Sequence, residues 1–237
     1  MSTIETTLAS ADSLHPHLKV AFTLAPEDLT IAQSSTCVLD TIFTLPPDVF
    51  VDRYQVKDIR HTLGNAVLVY GESNLELPVS SIGPEGSIVI VRKRSDTVYP
   101  DEQVHIDLPI HVRYQPPTTE SDRYHVDVHL PPVYMGWTCL STRLDSVRSL
   151  NDIPLPFNLH PLVPSSHIAT QFHPIKAQAQ DALSLRVPVG RMAEVQQVGT
   201  WTVVTVLAGV IWLLSATVRA VRKRSRRDAK GKRKRSD

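Results

Sequence analysis

The C-terminal end of the chain constrains everything before it. From Gly199 to Val218 run twenty residues without a charge, GTWTVVTVLAGVIWLLSATV, and eleven of the nineteen residues that follow are Lys or Arg. Twenty helical residues at about 1.5 Å each reach across the roughly 30 Å hydrocarbon layer of a bilayer. The sequence therefore predicts one membrane-spanning helix at 199–218 with a basic stop behind it. Two other readings compete. A buried core helix of this length seldom ends in a polybasic run, and a tail-anchored protein with its bulk in the cytosol would have to push the basic tail across the membrane.

Charge sets the orientation. The tail 219–237 holds eleven bases and two acids, a net +9, which leaves fourteen bases and twenty-two acids for residues 1–218, a net −8. Short flanks rich in Lys and Arg stay on the cytoplasmic side, so the large N-terminal part is expected in the lumen or outside. Trp201 sits where an interfacial anchor belongs. The stretches RKRSRR and KRKR also match a nuclear localisation pattern, but beside a span they read as a topology determinant. The first thirty residues carry no persuasive signal peptide, since LKVAFTLA is short and Glu27 and Asp28 follow it. Either the span directs translocation itself or a signal-encoding segment lies outside this sequence.

The two cysteines, Cys37 and Cys139, both precede the span, where a disulfide is chemically permitted. Two residues admit one pairing, and two separate buried thiols are the alternative. Their spacing excludes the zinc patterns built on CxxC. No N-x-S/T sequon occurs.

Eighteen prolines, all before the span, argue against long helices there. What remains is a series of short β-type runs at 18–25, 36–45, 65–71, 86–94, 104–114, 123–130 and 182–189. Tyr124, Val126, Val128 and Leu130 alternate with His125, Asp127 and His129, and Leu183, Leu185, Val187 and Val189 repeat the pattern. These runs, divided by Pro, Gly and polar turns, predict a mainly β chain: a lumenal antiparallel β-sandwich followed by a single C-terminal transmembrane helix. DRYQVKDIR (52–60) suits a short helix, and 150–174, with five prolines, reads as a long irregular loop. The expected organisation is a disordered N-terminus at 1–15, a β-rich domain at 16–190, a juxtamembrane linker at 191–198, the span at 199–218 and a basic cytosolic tail at 219–237.

Chemistry is hard to find. GxSxG, GxGxxG, Walker A and HExxH patterns are all missing from the sequence, so no catalytic residue and no cofactor or metal site is assigned. His125 and His129 have metal-like spacing, but on a strand they stand about 13 Å apart, too far to share an ion. Glu27–Asp28 and Asp101–Glu102 are adjacent carboxylates whose side chains point apart on strands or turns and read as solvated surface. Glycosyltransferases that use lipid-linked sugars need several spans, and one span does not supply that.

Three segments carry a family resemblance. LPPDVFVDRYQV (45–56), LPIHVRYQPP (108–117) and VPVG (187–190), in that order and spacing before a single span, resemble the PIG-X family of the endoplasmic reticulum. These are accessory subunits of glycosylphosphatidylinositol (GPI) mannosyltransferase I, which adds the first mannose to the GPI precursor. The resemblance implies a multispanning catalytic partner of the PIG-M type and a stabilising subunit that is not itself the enzyme. Phe50, Val51, Asp52, Tyr54, His111, Arg113 and Tyr114 are then candidates for partner contact or for the strand junctions that shape the contact surface. Core packing is the competing role for Phe50 and Val51, and an Asp52–Arg113 ion pair is the competing role for those two. Thr205 and Gly209 offer a small-residue contact within the span. Lys234–Arg235 resembles a dibasic retrieval signal. A single-pass cell-surface adhesion or receptor domain is the alternative from another class, and a lumenal hydrolase is a third.

Overall fold

The structure, a computed structural model, describes residues 1–33, 37–119, 124–140, 170–175 and 183–233. It divides into two units, residues 1–116 with 124–189, and residues 117–123 with 190–237.

The first unit is built on antiparallel strands. Strand β1 (Thr3–Ala9), β2 (His17–Thr23) and β7 (Gln103–Pro109) form a three-stranded sheet in the order β1-β2-β7. Strands β3 (Cys37–Leu45), β5 (Ala66–Gly71), β6 (Ser87–Arg94), β10 (Tyr134–Leu140) and β11 (Thr170–Pro174) form a five-stranded sheet in the order β11-β10-β3-β6-β5. Two small ladders complete it: β4 (Val49–Phe50) with β8 (His111–Val112), and β9 (His125–Leu130) with β12 (Leu183–Pro188). Strand β3 is central because CVLDTIFTL has little polar alternation, the pattern of a strand buried on both faces. Leu39, Phe43 and Leu45 enter the main core with Val89, Val91 and Trp137, where they join Val20, Phe22, Ile106 and Leu108 of the three-stranded sheet. Ile42 belongs to a second cluster with Ile88, Ile90 and Phe172. The alternation at 124–130 and 183–189 also has its counterpart here, since Leu183↔Leu130, Leu185↔Val128 and Val187↔Val126 face each other across one ladder.

Helix α1 (Pro26–Gln33) has proline as its first residue and Glu27 and Asp28 in its first turn, where proline fits the helix and acids meet the positive end of its dipole. The adjacent carboxylates expected on a strand or turn are thus helix-start residues, and Trp137 of β10 donates its indole N–H to the Asp28 carbonyl at 2.8 Å. Helix α2 (Arg53–Asp58) occupies the stretch where a short helix was expected, and α3 (Arg60–Leu63) follows it. Gly136 is required by close approach, because a Cβ there would lie 2.6 Å from the His173 carbonyl oxygen and within the Phe172 ring.

Three expectations are corrected. Residues 1–15 are not without structure: β1 pairs with β2 over its whole length, from Thr3↔Thr23 to Ala9↔His17. Only Ile4 and Leu8 give that strand an apolar side, too sparse a signal to read. The last part of the presumed loop 150–174 is strand β11, paired with β10 from Leu140↔Thr170 to Gly136↔Pro174, while 150–169 lies outside the described residues. The linker 191–198 is helical from Met192 onward.

In the second unit, Thr118 bridges to Arg191, with Thr118 N–H donating to Gly190 and Met192 N–H donating to Thr118. Helix α4 (Met192–Arg233) follows. Its stretch 192–224 is long and apolar enough to cross a membrane, and none of its apolar window is buried in protein. Trp201, Val203, Leu207, Ile211, Trp212 and Leu214 are all exposed, which argues against a buried core helix and for lipid contact. Thr200, Thr202, Thr205 and Thr217 each donate to the carbonyl four residues back, so their hydroxyls carry no unsatisfied donor into lipid.

Cys37 and Cys139 face each other at the end of the β3–β10 ladder and form a disulfide across 102 residues of chain. Closing so long a loop restrains the unfolded chain strongly. Replacing both cysteines by Ala should lower unfolding stability by about 2–5 kcal/mol, measured by denaturant melts of the full chain in detergent. An unchanged melt after reduction would show that the bond carries no stability.

Candidate partner-binding surface

Three of the seven candidates in the two longest resembling segments, Phe50, His111 and Arg113, meet at one short ladder. Pairing of β4 with β8 sets Phe50 opposite His111 and Val49 opposite Val112. The Phe50 and His111 rings stack with centroids 5.3 Å apart. Arg113, one residue beyond β8, lays its guanidinium over the Phe50 ring at 4.2 Å from the centroid and donates its backbone N–H to Asp48. Phe50 is thus held between an imidazole and a cation, an arrangement that favours both contacts.

Arg113 is only 3% exposed. Its Nη1 donates to the carbonyls of Asn74 (2.6 Å) and Leu77 (2.9 Å), and Nη2 donates to that of Glu72 (3.2 Å). Burial pushes this guanidinium below its ordinary pKa, and the nearby Glu72 carboxylate partly offsets the effect. The same loop orders itself from the other side: Glu72 Oε1 accepts from Asn74 N–H, and Asn74 Oδ1 accepts from Glu76 N–H. The alternative Asp52–Arg113 ion pair does not form. Asp52 is instead the N-cap of α2, accepting from Tyr54 N–H at 2.8 Å, while Arg113 serves carbonyls.

His111 sits between two polar neighbours. Its Nε2 lies 2.8 Å from Gln55 Oε1 and its Nδ1 lies 2.8 Å from Nδ1 of His15. A bond between two imidazole nitrogens needs one donor and one acceptor, so one ring must be neutral. Burial first, then the His15 ring, pushes His111 below the ordinary histidine pKa, and Asp52 pulls it partly back.

Side-chain exposure sorts the candidates. Phe50, Val51 and Arg113 are buried and shape the surface from beneath, and His111 and Asp52 are half-buried. Tyr54 and Tyr114 are each 77% exposed. Tyr54 lines an open groove of about 590 Å³ with Arg53, Lys57 and the loop 72–76, in which Leu75 is also exposed. Arg53 donates to the Gly71 carbonyl at 2.8 Å. The arrangement offers aromatic and mixed-charge contact area. Among the described residues no group of three or more His, Cys, Asp or Glu could hold a metal ion. His15, Gln55 and the carbonyls of 72–77 were not legible in the sequence, because a backbone acceptor has no residue signature and His15 fell in a stretch expected to lack structure.

Comparison with known proteins agrees with the motifs that carry this surface. A family model described as PIG-X / PBN1 matches residues 11–218, which takes in the β domain from β2 onward and the apolar part of α4. Proteins named pbn1 are similar over much of the chain. That of Emericella nidulans is 29% identical over 90% of this chain and 43% of its own length, and that of Aspergillus fumigatus is 29% identical over 85% and 44%. That of Schizosaccharomyces pombe is 26% identical over 65% of this chain and 44% of its own. The chain spans less than half the length of these curated relatives.

Arg113→Ala should leave three carbonyls without their donor and cost about 2–4 kcal/mol of stability, with Arg113→Lys intermediate because an ammonium cannot span the same acceptors. Thermal melts of the two variants check this, and an Ala variant within error of the parent would refute it. A histidine whose folded pKa is depressed penalises the fold as pH falls below its unfolded value near 6.5, with the penalty complete only below the folded value. His111→Gln should therefore lose less stability than the parent between about pH 7 and pH 5, read from the same melts.

Proposed function

Because the chain belongs to the PIG-X / PBN1 family, we propose that it is the non-catalytic, single-span subunit of GPI mannosyltransferase I and supports addition of the first mannose to the GPI precursor. The family is one of accessory subunits associated with the endoplasmic reticulum. The observation that carries the reading is the extent of the match, which runs through the β domain and most of the span instead of resting on one motif. Three features support it. The surface around Phe50 and Arg113 offers contact area, the disulfide suits an oxidising lumen, and one exposed apolar helix suits residence beside a multispanning partner. In this role the domain lies in the lumen, the tail lies in the cytosol, and the partner is a catalytic subunit of the PIG-M type.

The chain acts by mass action. A protein that binds the folded enzyme and not its unfolded form shifts the enzyme's folding equilibrium and spares it from degradation. Tyr54 and Tyr114 are the contact residues, since large, rigid, exposed aromatics dominate many interfaces. Phe50, Val51, Asp52, His111 and Arg113 hold the surface beneath them.

Cells lacking the gene should have less catalytic subunit and less first mannosylation, and normal levels of both would reject the role. The Tyr54→Ser/Tyr114→Ser variant should fold normally yet co-purify at least about tenfold less of the catalytic subunit, at about 1–2 kcal/mol per tyrosine. Undiminished recovery of the enzyme with that variant would move the contact elsewhere on the chain.

A further inference from the structure

Helix α4 does not stop where its apolar residues do. Val218 ends the uncharged run, yet the helix continues to Arg233, so the charges that follow are held at helical spacing. Arg219, Arg222, Lys223, Arg226, Arg227 and Lys230 fall at register positions within roughly 140° of the helix circumference. Ala220, Val221, Ser225 and Asp228 take positions on the rest, with Arg224 among them. An unfolded tail of the same composition would have no such stripe. Arg219 turns back on the span and donates to the Ser215 carbonyl and hydroxyl, each at 3.2 Å, while Arg222, Lys223 and Arg224 are exposed.

Distance decides what the stripe can meet. Headgroups extend about 5–7 Å beyond the hydrocarbon, and charges stay unscreened over a further 8 Å or so at physiological salt. At 1.5 Å per residue this zone of about 15 Å takes in roughly ten residues of helix past Val218. That stretch, 219–228, contains six bases and one acid, Asp228. Lys230, Lys232 and Arg233 stand beyond it. The polyanion that is always within reach of residues 219–228 is the leaflet itself, because the helix runs into them from the exposed apolar span without a break.

We propose that the basic stripe of α4 just past the span is a binding site for anionic phospholipid headgroups, which it gathers around the helix from the leaflet it leaves. Several bases at fixed spacing on one side hold more than one headgroup at once, which a single flanking arginine does not. The site is independent of whatever protein the β domain binds.

The test uses the full chain reconstituted into phosphatidylcholine discs containing a minor fraction of phosphatidylserine. Lipids that stay with the protein on transfer to detergent are counted by mass spectrometry. Phosphatidylserine should be enriched at least about twofold over its bulk fraction and lose that enrichment at high salt. The Arg222→Gln/Lys223→Gln/Arg226→Gln/Arg227→Gln variant, which keeps good helix formers, should retain lipids at the bulk ratio. Lys230→Gln/Lys232→Gln/Arg233→Gln should keep most of the enrichment, since those positions lie outside the zone. Bulk-ratio lipids on the parent chain would overturn the proposal, as would enrichment that survives the first variant or falls equally in the second. A stoichiometric acidic protein captured from cells through the same four bases, with no lipid enrichment, would also overturn it.

Discussion

The guanidinium of Arg113 is the interaction on which the candidate surface rests. Taking such a charge out of water costs several kcal/mol unless its donors are met. Here the carbonyls of Glu72, Asn74 and Leu77 and the face of Phe50 meet it together. The dependence runs in both directions. A two-residue ladder such as β4–β8 is too short to hold itself, and Phe50 locks it between His111 and Arg113. The loop 72–77 has no strand partner for its carbonyls, and Arg113 supplies their donors. The groove wall beside Tyr54 exists because a strand-end arginine reaches under it.

A half-buried cation on the five-stranded sheet is handled differently. Asp40 is fully buried in β3, and Arg92, its register partner on β6, donates Nε and Nη2 to its two oxygens at 2.7 and 2.8 Å. Thr138 of β10 adds a third bond to Asp40 at 2.6 Å. Hydrogen bonding to Asp40 raises the Arg92 pKa, with desolvation opposing, so the guanidinium stays charged. Such a pair adds little net stability over an apolar substitute, but losing one partner strands the other. Its value lies in register: a slip of one residue between β3 and β6 would separate Asp40 from Arg92 and turn Ile42 into the opposite face. The Arg113 arrangement shapes a surface, and the Asp40 arrangement aligns the sheet behind it.

The legible parts of the fold were those where one strand carries its own pattern. Val126, Val128 and Leu130 against Leu183, Leu185 and Val187 alternate cleanly and pair as their spacing implies. The run at 36–45 is apolar enough to mark β3 as central. Strand β1 was opaque because an edge strand needs few apolar residues, and Ile4 and Leu8 are too few to stand out. Strand β10 was hidden by Pro131 and Pro132 before it and by Gly136 inside it, although that glycine is what lets β11 lie close. At the surface, the motif LPPDVFVDRYQV marked the right neighbourhood but not the roles within it. Whether Asp52 caps a helix or pairs with Arg113 depends on where the carbonyls of 72–77 come to rest, and that is a tertiary fact.

One chain that joins a folded domain to a membrane helix suits the proposed role for a reason of magnitude. A partner present at a hundred times its dissociation constant stabilises the bound protein by about 2.7 kcal/mol, enough to change the amount of a marginal membrane enzyme. Contacts through a few exposed aromatics such as Tyr54 and Tyr114 are modest taken alone. Anchoring in the same bilayer makes the second contact intramolecular once the first has formed, which raises the effective concentration without new binding area. An exposed apolar helix with Thr205 and Gly209 four residues apart offers such a contact inside the membrane. In the proposed role the domain therefore needs only a small contact area of its own to hold a partner.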